Sequence, residues 1–273
     1  MKEKITVLVG AGAIGVACAR RVSASRHILL ADVSADNAAA QAEALRDTGY
    51  QVTDTTVDVR SRDSVGELAA KAASMGNIER LICAAGVSPS NASADLVFRV
   101  DLLGTALVLD CFAAVMARGG NGLVISSQAG HRLAPLSAEQ ERQLALTPAD
   151  ALLSLPLLQG IDDAMYAYQL AKRGCALRVR AESVKWARRG ARLNALSPGI
   201  TMSPLARREL EGQGGDGYRT MIASSAARRL GTAEEVAAVA EFMMGESGAY
   251  ICGSDFLIDG GVSAAYFYDD ENS

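Results

Sequence analysis

Tyr168 and Lys172 lie four residues apart in a helix-like stretch. Four residues make about one helical turn, so both side chains project from one face. A free tyrosine, with a pKa of about 10, is a poor base at neutral pH, and a lysine ammonium beside it favours the phenolate. Lowering that pKa by about three units takes roughly 4 kcal/mol of differential stabilisation, a load that one lysine and a second bound positive charge can share. Tyr166 is a rival phenol, but Leu170 rather than a lysine stands four residues beyond it. The pair can move a proton. It needs a partner that moves electrons.

The N-terminal stretch VLVGAGAIG supplies the place for one. Gly10, Gly12 and Gly15 follow an apolar run directly and open a helix, with Ala13 and Ile14 in its first turn. Glycines let the backbone approach a pyrophosphate, and the helix N-terminus binds its charge. Asp32 follows a second apolar run, 22 positions after Gly10, where a carboxylate bonds the adenosine ribose hydroxyls. Its other reading is a turn residue capping the next helix. A 2′-phosphate there meets a carboxylate, and two like charges about 4 Å apart at an effective dielectric near 20 repel by about 4 kcal/mol. Arg20, Arg21 and Arg26 could soften this, but none adjoins Asp32 in sequence. NAD is therefore expected over NADP.

These residues need a scaffold, and the pattern describes one. Apolar runs at about 5–9, 27–31, 51–57, 80–84, 122–126, 192–196 and 255–258 read as strands. Between them, helical patterns cover about 14–24, a Ser34-capped stretch to 47, a Ser61-capped stretch to 75, one long helix at 94–117, then 164–189 and 234–244. Residues 198–217 read as loop and helix. Continuous apolar strands separated by helices predict a single α/β domain over 1–273, a doubly wound parallel sheet covered on both faces. The alternation pauses at about 131–163, an insertion-like segment, and the chain closes on an acidic tail at about 266–273.

Composition narrows the classes. With 273 residues, 49% hydrophobic and 21% charged, the chain can bury a large core. A net charge of −4 leaves no footprint for nucleic acid, and arginine pairs such as Arg188-Arg189 are interleaved with acids. The five cysteines are widely spaced, without a C-x-x-C, so neither a disulfide framework nor a metal site is expected. No apolar run approaches a membrane span, and the first strand begins almost at once. A reducing, cytoplasmic setting is the expectation.

With these motifs in order, the chain resembles the short-chain dehydrogenases/reductases over nearly all its length. Asp58-Val59 resembles the family's adenine-holding pair, and Cys83-Ala84-Ala85-Gly86 stands where the family usually has Asn-Asn-Ala-Gly. Ser126-Ser127-Gln128-Ala129-Gly130 resembles the catalytic-serine segment, the spacing to Gly130 selecting Ser127. RLNALSPGITMSPL resembles the region beside the nicotinamide, with Pro198, Gly199, Ile200, Thr201 and, at the family's usual threonine, Ser203. Two departures stand out. The glycine loop is one residue shorter than the family's and lacks its threonine, and VDLLGT puts Asp101 where a catalytic asparagine holds a relay water.

The resemblance implies hydride transfer between nicotinamide C4 and a carbinol or carbonyl carbon. Tyr168 takes or gives the hydroxyl proton, Ser127 bonds the reacting oxygen, and Lys172 also holds the cofactor ribose. Asp101 has nearly the shape of asparagine but loses its donor group. An epimerase or dehydratase on the same scaffold, or a non-catalytic NAD sensor, are the alternative functions. The resemblance further implies a homodimer or homotetramer through the long helices and a small alcohol or carbonyl substrate. His131, just behind Ser127, is a candidate substrate contact or a plain surface histidine. The 41 positions from Ser127 to Tyr168 exceed the family's usual spacing. Their leucines, Leu153 and Leu157 among them, form either the apolar underside of a lid or a subunit contact, and lean towards an apolar or ring-shaped substrate.

Overall fold

Seven parallel strands form one sheet in the order β3-β2-β1-β4-β5-β6-β7, in a computed structural model that describes residues 2–212 and 215–269. In chain order the elements are β1 (Lys4–Val9), α1 (Ala13–Val22), β2 (His27–Asp32), α2 (Ala35–Asp47), β3 (Val52–Thr56), α3 (Arg62–Met75) and β4 (Asn77–Cys83). Then come α4 (Ala94–Val97), a π-helical segment (Phe98–Gly104), α5 (Thr105–Ala113), β5 (Met116–Ile125), α6 (Ala138–Leu146), α7 (Ala149–Leu152) and α8 (Ala164–Arg188). The chain continues through β6 (Arg192–Pro198), α9 (Pro204–Glu211), α10 (Gly215–Ser224), α11 (Ala233–Met244), β7 (Asp255–Ile258) and α12 (Val262–Tyr268).

Strand residues alternate between two cores because successive side chains point to opposite faces. Ile5, Val7 and Val9 of β1 pack with α3, α5 and α8, whereas Leu8 faces the layer of α1, α2 and α11. Leu29 and Ala31 of β2 join the first core, Ile28 and Leu30 the second. The expected caps form: Ser34 Oγ accepts from Asn37 N and Ser61 Oγ from Ser64 N. After β3 the chain crosses back to place β4 beside β1. That reversal opens a crevice at the strands' carboxyl ends, where open α/β sheets bind ligands.

Three sequence expectations change. The helix expected over 94–117 is two α-helical pieces joined by the π segment, and β5 begins at Met116 rather than Gly122. The extra residue in the π turn carries Asp101, whose side chain is fully buried. The aromatic start of the tail is helical, since Tyr266 to Tyr268 end α12; residues 270–273 lie outside the described residues. Finally, the segment expected as a lid or subunit contact is a folded part of this chain's own core. A Ser137–Gln140 capping box starts α6, and Leu144 and Leu152 are fully buried in the core on the α8 side. Arg62 of α3 pairs with Asp150 of α7 at 2.9 Å.

Candidate active site

At the end of β1, Gly10 takes φ +92°, and a β-carbon there would collide with the Ala85 backbone. One at Gly15 would sit 2.6 Å from Gly10 O. Gly12 differs: a β-carbon there meets nothing within 4 Å, and Gly12 caps α1 with no side chain covering the helix end. Two glycines thus close the loop onto β4 and the third leaves the helix N-terminus open, which is the surface a pyrophosphate needs.

That surface is one end of a cavity of about 680 Å³. Gly12, Ala13, Ile14, Gly15, Ala84 and Gly86 line it, as do Pro198, Gly199, Ile200, Thr201 and Ser203 across β6. Ser203 also caps α9, accepting from Ala206 N at 3.0 Å. Asp32 stands beside the loop, its carboxylate accepting from Ala11 N at 2.8 Å and Ser34 N at 3.0 Å. Asp58 and Val59 fall outside the cavity walls. The Arg60 guanidinium binds the Asp58 carboxylate and holds its pKa below the usual range, while Val59 is buried against Gly104. Two wall residues went unread in the sequence, Asn37 and Gln41 of α2. Their spacing of four, just beyond Asp32, was the available signal.

At the other end stand Ser127, Tyr168, Lys172 and Asp101. Ser127 leaves β5 in an extended conformation, accepts from Ala129 N at 3.1 Å and turns its hydroxyl to Tyr168. Asp163 caps α8 and accepts from Met165 N, and within the same helix Tyr168 and Lys172 share a face as expected. Lys172 Nζ lies 5.3 Å from the Tyr168 ring centre. Tyr166 is exposed and does not line the cavity.

Asp101 alters the electrostatics. Its Oδ1 pairs with Lys172 Nζ at 2.8 Å, and its Oδ2 accepts from Val87 N at 3.1 Å. Thr105 Oγ1 and Cys175 Sγ both donate to the Asp101 carbonyl, fixing the π turn. Burial raises the Asp101 pKa although Lys172 opposes it. Burial also works against the Lys172 charge, but Asp101 and Tyr168 outweigh it and hold the ammonium above its ordinary value. The tyrosine departs from expectation: burial, with help from Asp101, pushes its pKa up despite Lys172 and a hydrogen bond from Ser127. Without a bound nicotinamide, the lysine alone does not lower it.

The substrate-side expectations also change. His131 Nε2 pairs with Asp255 Oδ2 at 2.8 Å, and Ser197 Oγ donates to Asp255 Oδ1 at 2.7 Å, so the histidine ties the turn after Ser127 to β6 and β7. Leu153 and Leu157 pack partly buried against the core and do not line the cavity. The walls near Tyr168 are instead Arg132, Met165, Leu205, Glu209, Tyr218 and Met221. None was read from the sequence, because α9 and α10 offer no motif and Arg132 lies beyond the serine segment.

A helix-opened glycine cradle joined to a buried Tyr-Lys pair defines a nucleotide-binding oxidoreductase on a Rossmann-like sheet. Comparison with known proteins narrows this. Residues 4–138 match the family described as short chain dehydrogenase, and residues 152–263 one described as enoyl-(acyl carrier protein) reductase. The chain is 35% identical over 277 residues to the short-chain dehydrogenase/reductase bsc3 of Alternaria brassicicola, covering 100% of both. It is 28% identical to the cis-4-hydroxycyclohexanecarboxylate dehydrogenase of Sinomonas cyclohexanicum, over 96% of this chain and 97% of that one. The crystal structure of levodione reductase superposes with a TM-score of 0.78 at 24% identity, over 97% and 100% of the two chains. The protein belongs to the short-chain dehydrogenases/reductases, oxidoreductases that bind an NAD(P) nucleotide and act on small molecules. No helix of the described residues is long and apolar enough to cross a membrane.

Proposed function

We propose that this protein is an NAD-dependent dehydrogenase or reductase interconverting a secondary alcohol and its ketone. The observation that carries the reading is the cavity shared by the open glycine cradle and by Ser127, Tyr168 and Lys172. When bound, the nicotinamide accepts or supplies the hydride. The protein's part is the proton. Ser127 and Tyr168 hold the reacting oxygen, and Tyr168 takes the alcohol's proton in oxidation or returns it in reduction. Lys172 favours the phenolate that oxidation needs, and Asp101 fixes the ammonium. Asp58 and Val59, which like Asp32 stand off the cavity wall, would hold the adenine end.

Asp32 supports NAD over NADP. Arg20, Arg21 and Arg26, the cations nearest in sequence, pair with Glu234, Glu241 and Glu79. They are not free to receive a 2′-phosphate. Relatives carry names that include both rings, as in 3-alpha-hydroxysteroid dehydrogenase/carbonyl reductase, and small polyols, as in D-threitol dehydrogenase. The apolar walls Met165, Leu205 and Met221 favour the ring-shaped class. Five free thiols fit a reducing, cytoplasmic setting. A homodimer or homotetramer would cover outward apolar residues such as Val184, Phe242 and Phe256.

The test is a panel of alcohols and ketones followed by NADH absorbance, with both cofactors titrated by fluorescence. Stoichiometric NADH release on alcohol oxidation is expected, with NAD(H) bound at least about tenfold tighter than NADP(H), a screened fraction of the repulsion at Asp32. Equal affinities would remove the NAD assignment. Turnover without net NADH would indicate an epimerase or dehydratase instead.

A further inference from the structure

Arg132 lies on the wall of the cavity that holds Ser127 and Tyr168, and it has no acidic partner among the described residues within ion-pair distance. It is half-buried, its Nε is enclosed with no hydrogen-bond acceptor, and its Nη1 reaches only the Met221 sulfur at 3.2 Å. Thioether sulfur is a weak acceptor and leaves a guanidinium largely unsatisfied. The Tyr266 ring of α12 stacks against it, with 5.4 Å from Cζ to the centroid, so the fork is held rather than free.

The carboxylates nearby are occupied elsewhere. Asp259 accepts from the backbone of Gly261 and Ser263. Glu209, also on the cavity wall, accepts from the Ser88 and Ser90 hydroxyls. Burial draws the Arg132 pKa down, but arginine stays charged at any working pH. Asp259 offsets part of the charge without pairing with it, and a half-buried guanidinium short of acceptors costs stability unless something completes it. A carboxylate completes it best, because the planar fork matches two carboxylate oxygens. A guanidinium without an ion-paired acceptor calls for an anionic one, and Met165, Leu205 and Met221 on the same cavity wall call for an apolar body between it and the reacting carbon.

We infer that Arg132 is a carboxylate-binding subsite, and that the substrate is an apolar, ring-sized hydroxy or keto acid whose carboxylate docks there while its carbinol or carbonyl faces Tyr168 and Ser127. The inference rests on the hydride-transfer reading above for the position of the reacting carbon, but not for the binding of the acid.

Calorimetry therefore tests binding without turnover. Cyclohexanecarboxylate, which has no carbinol to oxidise, is titrated into the protein saturated with NADH, and cyclohexanecarboxamide serves as the uncharged control. Wild type should bind the acid at least about tenfold tighter than the amide. Arg132→Gln should lose that preference, while its amide affinity and melting temperature stay close to wild type. Arg132→Lys should keep part of it, since the charge remains and the fork is lost. Arg208→Gln, which removes an exposed cation from the same cavity wall, should keep most of that preference, because its charge is screened by solvent. Loss of amide and acid binding together in Arg132→Gln would mark a structural role and overturn the subsite. So would equal acid and amide binding by wild type, or a preference that follows Arg208. If a hydroxycyclohexanecarboxylate is then bound through Arg132 but gives no NADH, the hydride-transfer reading fails and the subsite stands.

Discussion

Lys172 and Arg132 are two cations on the wall of one cavity, and they are neutralised in opposite ways. Lys172 is buried against a fully buried carboxylate 2.8 Å away. Arg132 is held by a tyrosine face and a thioether, with no carboxylate within ion-pair distance among the described residues. The difference separates two kinds of work. A cation that the protein neutralises is fixed in place and acts on the protein's own proton. Burial of the phenol, with the partner's charge adding to it, outweighs that cation, so Tyr168 sits above, not below, the ordinary tyrosine pKa. A cation left unneutralised inside a cavity keeps its full field for a ligand.

The largest test of the paired side is Tyr168→Phe. It should leave folding and NAD binding intact and slow turnover by at least about 10²-fold, as for loss of a general acid-base. Tyr166→Phe, at an exposed position off the cavity, should be far milder. Stopped-flow NADH absorbance with both variants separates the phenols. A reversal would move the proton chemistry to the wrong side of the helix.

Asp101→Asn sharpens the comparison by unpairing Lys172. Removing one partner of a buried ion pair costs about 3 kcal/mol, to be read from urea unfolding. The effect on chemistry has a definite sign. Alcohol oxidation needs the unprotonated Tyr168, so its rate should rise with pH. Asp101 is one of the groups that raise that pKa, so removing its charge should move the rising limb to lower pH. Ketone reduction, which needs the phenol, should be affected less at neutral pH. An unchanged pH profile would show that the carboxylate does not act on Tyr168.

Much of the paired side was readable in advance, and little of the other. The glycine loop, Asp32 and the four-residue spacing of Tyr168 and Lys172 announce themselves because each depends on local backbone geometry. The sequence even shows an acid at position 101. It does not show the π turn that brings the acid to Lys172, because FRVDLLG carries an unbroken helical pattern and the turn is fixed by bonds to Val87 and Cys175, distant in sequence, as well as to Thr105. The early start of β5 was hidden similarly. Gly119 and Gly120 read as a loop, yet the strand runs through them with a register shift opposite Ile78 to Arg80 and φ +78° at Gly119. Arg132 was legible only as one more arginine. Its meaning lies in nearby carboxylates that bond to other groups instead, which no local pattern records.

The smallest effects should come from the leucines after Ser127, and they bear on where substrate specificity resides. Leucine spacing reveals that a segment wants burial but not what it is buried against. Leu153 and Leu157 prove to lie on the core and off the cavity, unlike Leu205. Leu153→Ala or Leu157→Ala, both only partly buried, should cost about 1 kcal/mol of stability and leave KM for a ring ketone within about twofold. Leu205→Ala should raise that KM several-fold with little loss of stability, because its side chain faces the ligand rather than the core. Thermal melts and initial rates on the three variants suffice. If Leu157→Ala raised KM as much as Leu205→Ala, the segment would close over substrate during turnover. Arg132 would then share its recognition with a moving wall rather than a fixed one.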